Sequence, residues 1–262
     1  MIKVFIDNKY LLNTLVKKDI EQRYKGSVLG ILWAVLVPLL MLAIYTFVFS
    51  EIFQAKWNVS GGDKYEFAMV LFCGLSAFNM VSEVMSRSTN LIASNTNYVK
   101  KVIFPLELLP AVATFSALFN CIISYLILIL AKLILYKTIS ITLYQIIMAF
   151  LPLCIFCMGI SLIISALSVY LKDIGNVISI VVMILMYMSP VFFSLSAVPG
   201  KFRIICEINP MTYIIENFRN VVLYGSNIDW KFYILSLLAS IALLVIGKII
   251  FERTKVGFAD VL

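Results

Sequence analysis

Long apolar runs broken by short polar stretches dominate the chain. A bilayer-spanning helix needs about 20 consecutive apolar residues. The pattern predicts six spans, roughly 28–50, 66–87, 106–135, 144–170, 175–196 and 230–251. Ahead of them, YLLNTLVKKDIEQ places Leu11, Leu12, Leu15, Val16 and Ile20 at helical spacing, with charges opposite. This stretch, about 8–24, is too short and too charged to span. It predicts an amphipathic helix in the membrane interface. Such a helix is either a lipid anchor or a docking platform for a partner; periodicity does not choose.

Three polar connections interrupt the spans. RSTNLIASNTNYVKKVIFP follows the second span and predicts a short helix around Asn90 to Val99, inside a region of about 88–102. Pro105 then opens the third span, where its missing N–H is harmless. Glu107 falls in that first turn, where a carboxylate complements the helix dipole. YLKDIGN (170–176) predicts a tight turn that holds spans four and five as a hairpin. Ser194 to Asp229 is broken at Pro199–Gly200 and again at Asn209–Pro210. Two short helices are expected there, in KFRIICE and MTYIIENFRNVVLYG, within about 197–226. The second has Met211, Ile214, Ile215, Phe218 and Val222 on one face, with Thr212, Glu216, Arg219 and Asn220 elsewhere, and Gly225 as C-cap. Together they suggest a re-entrant or interfacial element at the outer rim. Repeats, linkers and low-complexity stretches are absent from the sequence, so residues 1–262 read as one domain.

Composition fits this picture. Of 262 residues, 62% are hydrophobic and 13% charged, about half the charged share of a soluble domain. The mean hydropathy is +1.02. Too little polar surface exists to cover a water-facing globule, so the bilayer is the solvent. The net charge of +7 therefore marks membrane sidedness and anionic lipid rather than nucleic acid. Lys3, Lys9, Lys17, Lys18, Arg23 and Lys25 precede the first span. Arg87, Lys100 and Lys101 follow the second, and Lys248, Arg253 and Lys255 lie in the tail. Both termini are predicted to be cytoplasmic. The seam before the first span carries Gly26 and Gly30, which would let the chain turn into the membrane with close packing at the bend. Ser27 is a candidate N-cap of the span, and Pro38 a candidate kink. The first run is longer than a signal-peptide core and starts late, so it is expected to be a retained helix.

Candidate chemistry is sparse. The chain has no histidine, and so lacks the commonest general base and metal ligand. Cys154 and Cys157 form a CxxC, but within LPLCIFCMGISLII they read as small apolar residues of a span. P-loop, GxSxG and HExxH sequences are missing. An ion-coupled carrier would be expected to hold ionisable groups at mid-depth, and the span interiors hold almost none. Lys132, near a span end, can snorkel. Glu83 and Arg87 are spaced to pair. The mild polarity that remains is Ser76, Asn79, Ser82, Asn120, Ser124, and Ser161, Ser165 and Ser168 on one face. That last set reads as close helix packing before a pore lining. Tyr45, Phe47, Phe49, Phe53, Trp57, Tyr187, Phe192 and Phe193 are either an interfacial belt or a surface on which sugar rings slide.

QRYKGSVLGILWAVLVPLLMLAIYTFVFSEIF (22–53) resembles the start of permease subunits of polysaccharide-exporting ABC transporters. NYVKKVIFPLELLP (97–110), SVYLKDIGNVI (168–178), MSPVFFSLSAVPGKFRIICEINPMTYIIENFRNVVLYG (188–225) and FERTKVGFADVL (251–262) continue the resemblance in order. It implies an all-α integral membrane protein of the type-2 ABC export fold. The fold comprises six transmembrane helices, an N-terminal interface helix and two short outer gate helices. It implies a homodimer in the cytoplasmic (inner) membrane, with two copies of a separate P-loop ATPase that binds ATP and Mg. This chain itself would carry no cofactor and no catalytic residue.

The substrate implied is a lipid-linked glycan: O-antigen first, with teichoic acid, capsule or a smaller lipid or drug as alternatives. An ion-coupled carrier and a membrane-embedded glycan enzyme stand further off. ATPase coupling would fall on Asn90, Ser94, Asn95, Asn97, Lys100 and Lys101, and on Lys172 and Asp173. Arg23 and Lys25 would either attract a lipid diphosphate or serve as a positive-inside anchor. Tyr45, Phe49, Tyr187, Phe192 and Phe193 would line the channel. The gate helices would include Pro199, Asn209, Pro210, Glu216 and Arg219.

Overall fold

A computed structural model describes residues 2–54, 57, 65–100 and 104–262. The described residues are helical throughout their regular structure, with no strand. Two helices, α1 (Ile2–Asp7) and α2 (Lys9–Tyr24), precede the first apolar run. Next come α3 (Trp33–Tyr45), α4 (Glu66–Ser88), α5 (Thr96–Lys100) and α6 (Leu108–Tyr136). α7 (Ile146–Tyr170), α8 (Ile174–Met188), α9 (Gly200–Ile208) and α10 (Pro210–Arg219) follow. α11 (Trp230–Thr254) and α12 (Phe258–Val261) close the chain.

Five helical stretches among the described residues are long and apolar enough to cross a membrane: Gly30–Ile52, Glu66–Ser88, Leu108–Tyr136, Ile141–Tyr170 and Trp230–Val261. The expected fifth span differs. α8 stops at Met188 rather than near residue 196. Its 15 residues rise about 22 Å, short of a hydrocarbon core of about 30 Å. Pro190 is the reason. It disfavours helical backbone at Ser189, which adopts φ −91° and ψ 147°.

α4 is the central helix, buried along most of its length against α6, α7 and α10. One core surrounds it. There Phe218 of α10 stacks on Tyr125 of α6 (4.5 Å) and meets Phe150 of α7 edge-on (5.0 Å). The Tyr125 hydroxyl donates to the Cys73 carbonyl at 2.9 Å. A second core gathers the chain ends, joining Leu12 of α2, Leu91, Ile92, Leu108, Leu109, Phe251 and Phe258. The N-terminal and C-terminal elements thus pack at the same end of the bundle, here called the terminal end. The tail is tied down by Lys255, which donates to Glu107 at 2.5 Å, and by Tyr170, whose hydroxyl donates to the Thr254 carbonyl at 2.8 Å.

α7 and α11 form the most extensive helix pair. They touch backbone to backbone through glycine: a Cβ on Gly247 would lie 2.5 Å from the Gly159 carbonyl oxygen. The serine face of α7 packs rather than lining a pore. Ser161 and Ser165 are fully buried, and the Ser161 and Ser88 hydroxyls share a hydrogen bond of 2.7 Å. Cys157 is buried and Cys154 half-buried within α7, in keeping with apolar use.

The seam into the first span is a turn without close packing. Gly26 and Gly30 have φ +91° and +52°, which glycine adopts freely. A Cβ on either would meet nothing within 4 Å, so the expected tight contact is absent. Ser27 does not cap the span. Its hydroxyl donates back to the Tyr24 carbonyl at 2.9 Å and closes α2. Pro38 lies inside α3, which continues through it.

Candidate functional site

Three polar features converge on α4: a groove along it and a cluster of charges at each end.

The groove lies between α3, α4 and α6 and has a volume of about 250 Å³. Tyr45, Ser76, Asn79, Asn120 and Ser124 give it hydrogen-bonding groups, while Trp33, Met41 and Phe72 supply apolar wall. Helical spacing brings Ser76, Asn79 and Glu83 to one side of α4 and Asn120 and Ser124 to the facing side of α6. Tyr24 reaches the groove's end, where its hydroxyl donates to Asn120 Oδ1 at 3.0 Å. Burial raises the Tyr24 pKa, so this donor stays protonated. Aromatic faces, hydroxyls and amides, with the Glu83 carboxylate at one end, offer many weak contacts. Tyr45 is followed by a run of rings: Phe49 lies 6.5 Å from it, Phe67 5.1 Å from Phe49, and Trp57 5.5 Å from Phe67. Tyr187 and Phe192 stack at 6.1 Å and are both exposed, with Phe193 half-buried beside them.

The terminal-end cluster joins α2 to α4 and α6. Arg87 contacts Asp19 at 2.6 Å, and Arg23 contacts Glu83. Asp19 and Arg23 also face each other along α2 at 3.6 Å, as do Glu83 and Arg87 along α4 at 3.7 Å. Ser116 of α6 donates to Asp19 Oδ2 at 2.5 Å, and Asn120 Nδ2 to Glu83 Oε2 at 3.5 Å. The expected Glu83–Arg87 pair is therefore one side of a larger network. Asp19 and Arg23 do not lie opposite the apolar stripe of α2; they share its inward face with Leu12, Leu15 and Val16. Arg23 is held between two carboxylates, whereas Lys25 is exposed beside the seam.

Below this cluster, α5 and the turn before α8 form a polar surface. Asn90, Ser94, Asn97 and Lys100 are exposed, and Lys101 lies outside the described residues. Asn95 is half-buried because its side chain donates to the Leu91 carbonyl at 2.8 Å. Leu91 and Ile92, both buried, anchor the segment in the terminal-end core. Lys172 and Asp173 are exposed. Their turn adjoins the end of α4, since a Cβ on Gly175 would lie 4.0 Å from Thr89 Oγ1.

The distal cluster centres on Arg219. Asn209 caps α10 by accepting from the Met211 N–H at 3.0 Å and donates to Ser189 at 2.8 Å; Pro210 follows as the first helical residue. Pro199 stands just before α9, with no side-chain cap. Gly225, at φ +66°, closes the π-helical turn Asn220–Tyr224 as expected. Arg219 and Thr212, read off the apolar face in sequence, are fully buried. α10 is inserted among α4, α7 and α11 and so buries almost every side it has. The Arg219 guanidinium contacts Glu216 at 2.8 Å and donates to the Val191 carbonyl at 3.0 Å and the Val70 carbonyl at 3.4 Å. The Trp57 ring lies 4.6 Å from it, within cation–π range.

Lys132 does not snorkel. It is buried and donates to Ser140 (2.8 Å) and to the carbonyls of Val222 and Leu223 (both 2.9 Å), clamping the end of the π-turn. Sequence reasoning missed Asp19, Ser116 and this role of Lys132. A signal for Asp19 was available in its i,i+4 spacing to Arg23 within an apolar stripe. Ser116 and the carbonyls of Val222 and Leu223 gave none, because their partners are remote in the chain.

An all-helical bundle with five apolar spans among the described residues is the architecture of a multi-pass membrane protein. Residues 10–223 match the family model described as ABC-2 type transporter, and the chain belongs to that family. It is similar over its whole length to the O-antigen export system permease protein RfbA of Klebsiella pneumoniae, with 27% identity covering 100% of this chain and 99% of the relative. The capsule polysaccharide export inner-membrane protein CtrC of Neisseria meningitidis is 23% identical over 95% of this chain and 92% of its own. The polysialic acid transport protein KpsM of Escherichia coli is 25% identical over 83% of each. The chain is thus a multi-pass membrane permease subunit.

Proposed function

We infer that this chain is the membrane subunit of an ATP-driven exporter of lipid-linked polysaccharide, with O-antigen as the leading substrate. The end-to-end similarity to O-antigen export permeases carries the reading. Capsule glycans stand second in this reading, since the capsule and polysialic acid relatives are 23% and 25% identical against 27% for the O-antigen relative. In this reading two copies of the chain, each a single domain, form the path in the cytoplasmic membrane. A separate pair of P-loop ATPase subunits binds ATP and Mg and drives it. Both termini face the cytoplasm. α8 and the Ser189–Phe193 turn after it complete a sixth crossing in a locally thinned bilayer. α2 lies in the interface, and α9 and α10 serve as outer gate helices.

The exposed Asn90, Ser94, Asn97 and Lys100, with Lys101, Lys172 and Asp173, contact the ATPase; Asn95 braces that segment. The groove from Tyr24 to Tyr45, continued by Phe49 and, across the dimer, by Tyr187, Phe192 and Phe193, passes the glycan. Stacking faces and hydroxyls suit a polymer that must leave each position as easily as it enters. Lys25, exposed at the seam, attracts the lipid diphosphate; Arg23, already paired, contributes less.

The test is purification of the chain with its ATPase, reconstitution in liposomes, and measurement of ATP hydrolysis with and without lipid-linked glycan. Glycan-stimulated hydrolysis and ATP-dependent glycan translocation are expected. A chain that purifies without an ATPase and transports under an ion gradient overturns the reading.

A further inference from the structure

Asp19, Arg87, Glu83 and Arg23 close a ring in which each charge has two neighbours of opposite sign. Two sides of the ring run between helices, Arg87 to Asp19 and Arg23 to Glu83. The other two run within helices, Asp19 to Arg23 on α2 and Glu83 to Arg87 on α4, both at i,i+4 spacing. The intrahelical sides, at 3.6 and 3.7 Å, are longer than the 2.6 Å contact between Arg87 and Asp19. α2 and α4 are therefore joined by their shorter contacts, while each helix also holds a complete ion pair of its own.

We propose that this ring is an exchangeable joint: α2 undocks from α4 during the transport cycle, and the four charges re-pair within their own helices. The usual penalty for opening a partly buried ion pair is the stranded charge left behind. Here each helix is neutral in these four residues, so opening strands none. A two-state element with both states satisfied can be biased by a modest push. The ring is placed to receive one. Asp19 and Arg87 border a cleft shared with Leu91, Asn95 and Tyr98 of the segment assigned above to ATPase contact. On the other side, Glu83 and Asn120 border the groove. The joint thus lies between the ATPase-facing surface and the path, and its four residues are positioning residues for export.

The proposal rests on the export reading for its driving force, but the joint can be read without cargo. Spin labels at Lys17 and Ser86, both exposed, report the α2–α4 distance in the reconstituted complex with ATPase, with and without trapped nucleotide. A nucleotide-dependent change in this distance is expected. Asp19→Arg combined with Arg87→Asp keeps both interhelical pairs but puts two cations on α2 and two carboxylates on α4, so re-pairing within a helix is lost. This variant is expected to assemble, to show no distance change and to lose export by about tenfold or more, a population shift that like-charge neighbours readily produce. Arg23→Glu with Glu83→Arg has the same logic at the other side and serves where the first variant folds poorly.

Inverting all four charges (Asp19→Arg, Arg23→Asp, Glu83→Arg, Arg87→Glu) restores both sets of pairs and is expected to recover the distance change and most of the export. A simple brace predicts the reverse for the paired swaps: full export, because docking is intact. Wild-type-like export and motion in the paired swaps overturns the proposal, as does a wild-type distance that ignores nucleotide. Failure of the fourfold inversion to recover either readout also overturns it. Absence of glycan export by wild type with the distance change intact would instead refute the export reading alone.

Discussion

The two ends of α4 each hold an arginine-centred cluster, and they are built on opposite principles. At the distal end Arg219 is fully buried and fixed by backbone carbonyls, Glu216 and an aromatic face. Carbonyls of α4 and of the chain after α8 cannot change partners without moving backbone, so this cluster pins α10 in one place. At the terminal end the charges are about a quarter exposed and pair only with side chains. Side chains rotate, and the ring offers each of them a second partner. Burial with backbone partners gives a rivet; partial exposure with alternating side-chain charges gives a hinge.

The largest effect should come from the rivet. Arg219→Leu leaves the half-buried Glu216 without its cation and the buried Val191 carbonyl without a donor, and removal of one partner from a buried pair costs about 3–5 kcal/mol. Thermal unfolding in nanodiscs should show the loss, and a variant as stable as wild type would mean that Arg219 is not a rivet. Gly74→Val should come next. Its Cβ would lie 3.0 Å from Arg219 Nη2 and 3.5 Å from the Val191 Cα, and overpacking of this kind costs about 1–3 kcal/mol. The same unfolding assay checks it.

Glu83→Gln should cost less, about 1 kcal/mol, because Asp19 remains between the two arginines and solvent partly screens the ring's charges. Its mark should be functional: basal ATP hydrolysis retained, export reduced. Smallest of all, raising salt from about 0.1 to 1 M shortens the screening length to about 3 Å. It should erase the stability difference between Glu83→Gln and wild type while leaving that of Arg219→Leu in place. Equal salt sensitivity in the two variants would dissolve the contrast.

Much of the architecture was legible because local rules govern it. The apolar runs gave five of the six expected spans within a few residues. Asn209–Pro210 as a break and Gly225 as a C-cap gave the ends of the helix between them, and the polar run after α4 gave a short helical segment. α8 was overextended, although Pro190 stood in the sequence as the signal for its end. The candidate site was less legible. The Glu83–Arg87 spacing promised a pair, but Asp19, Arg23, Ser116 and Asn120 complete the network from two other helices. Arg219 looked like the solvated side of a short amphipathic helix, and Lys132 like a span-end lysine reaching for water.

The sequence by itself determined that this is a polytopic helical membrane protein, where five of its apolar spans fall and where Gly225 closes the helix that follows Asn209–Pro210. Hydrophobic length, periodicity and turn chemistry are properties of neighbouring residues, and neighbours are what a sequence records. Only the tertiary structure decided that α10 is buried on nearly all sides, that Gly159 meets Gly247, and that four charges on two helices close into a ring. Those outcomes depend on which helix faces which. Burial turns a polar residue from a solvated ornament into a rivet or a joint only once its neighbours in space are in place.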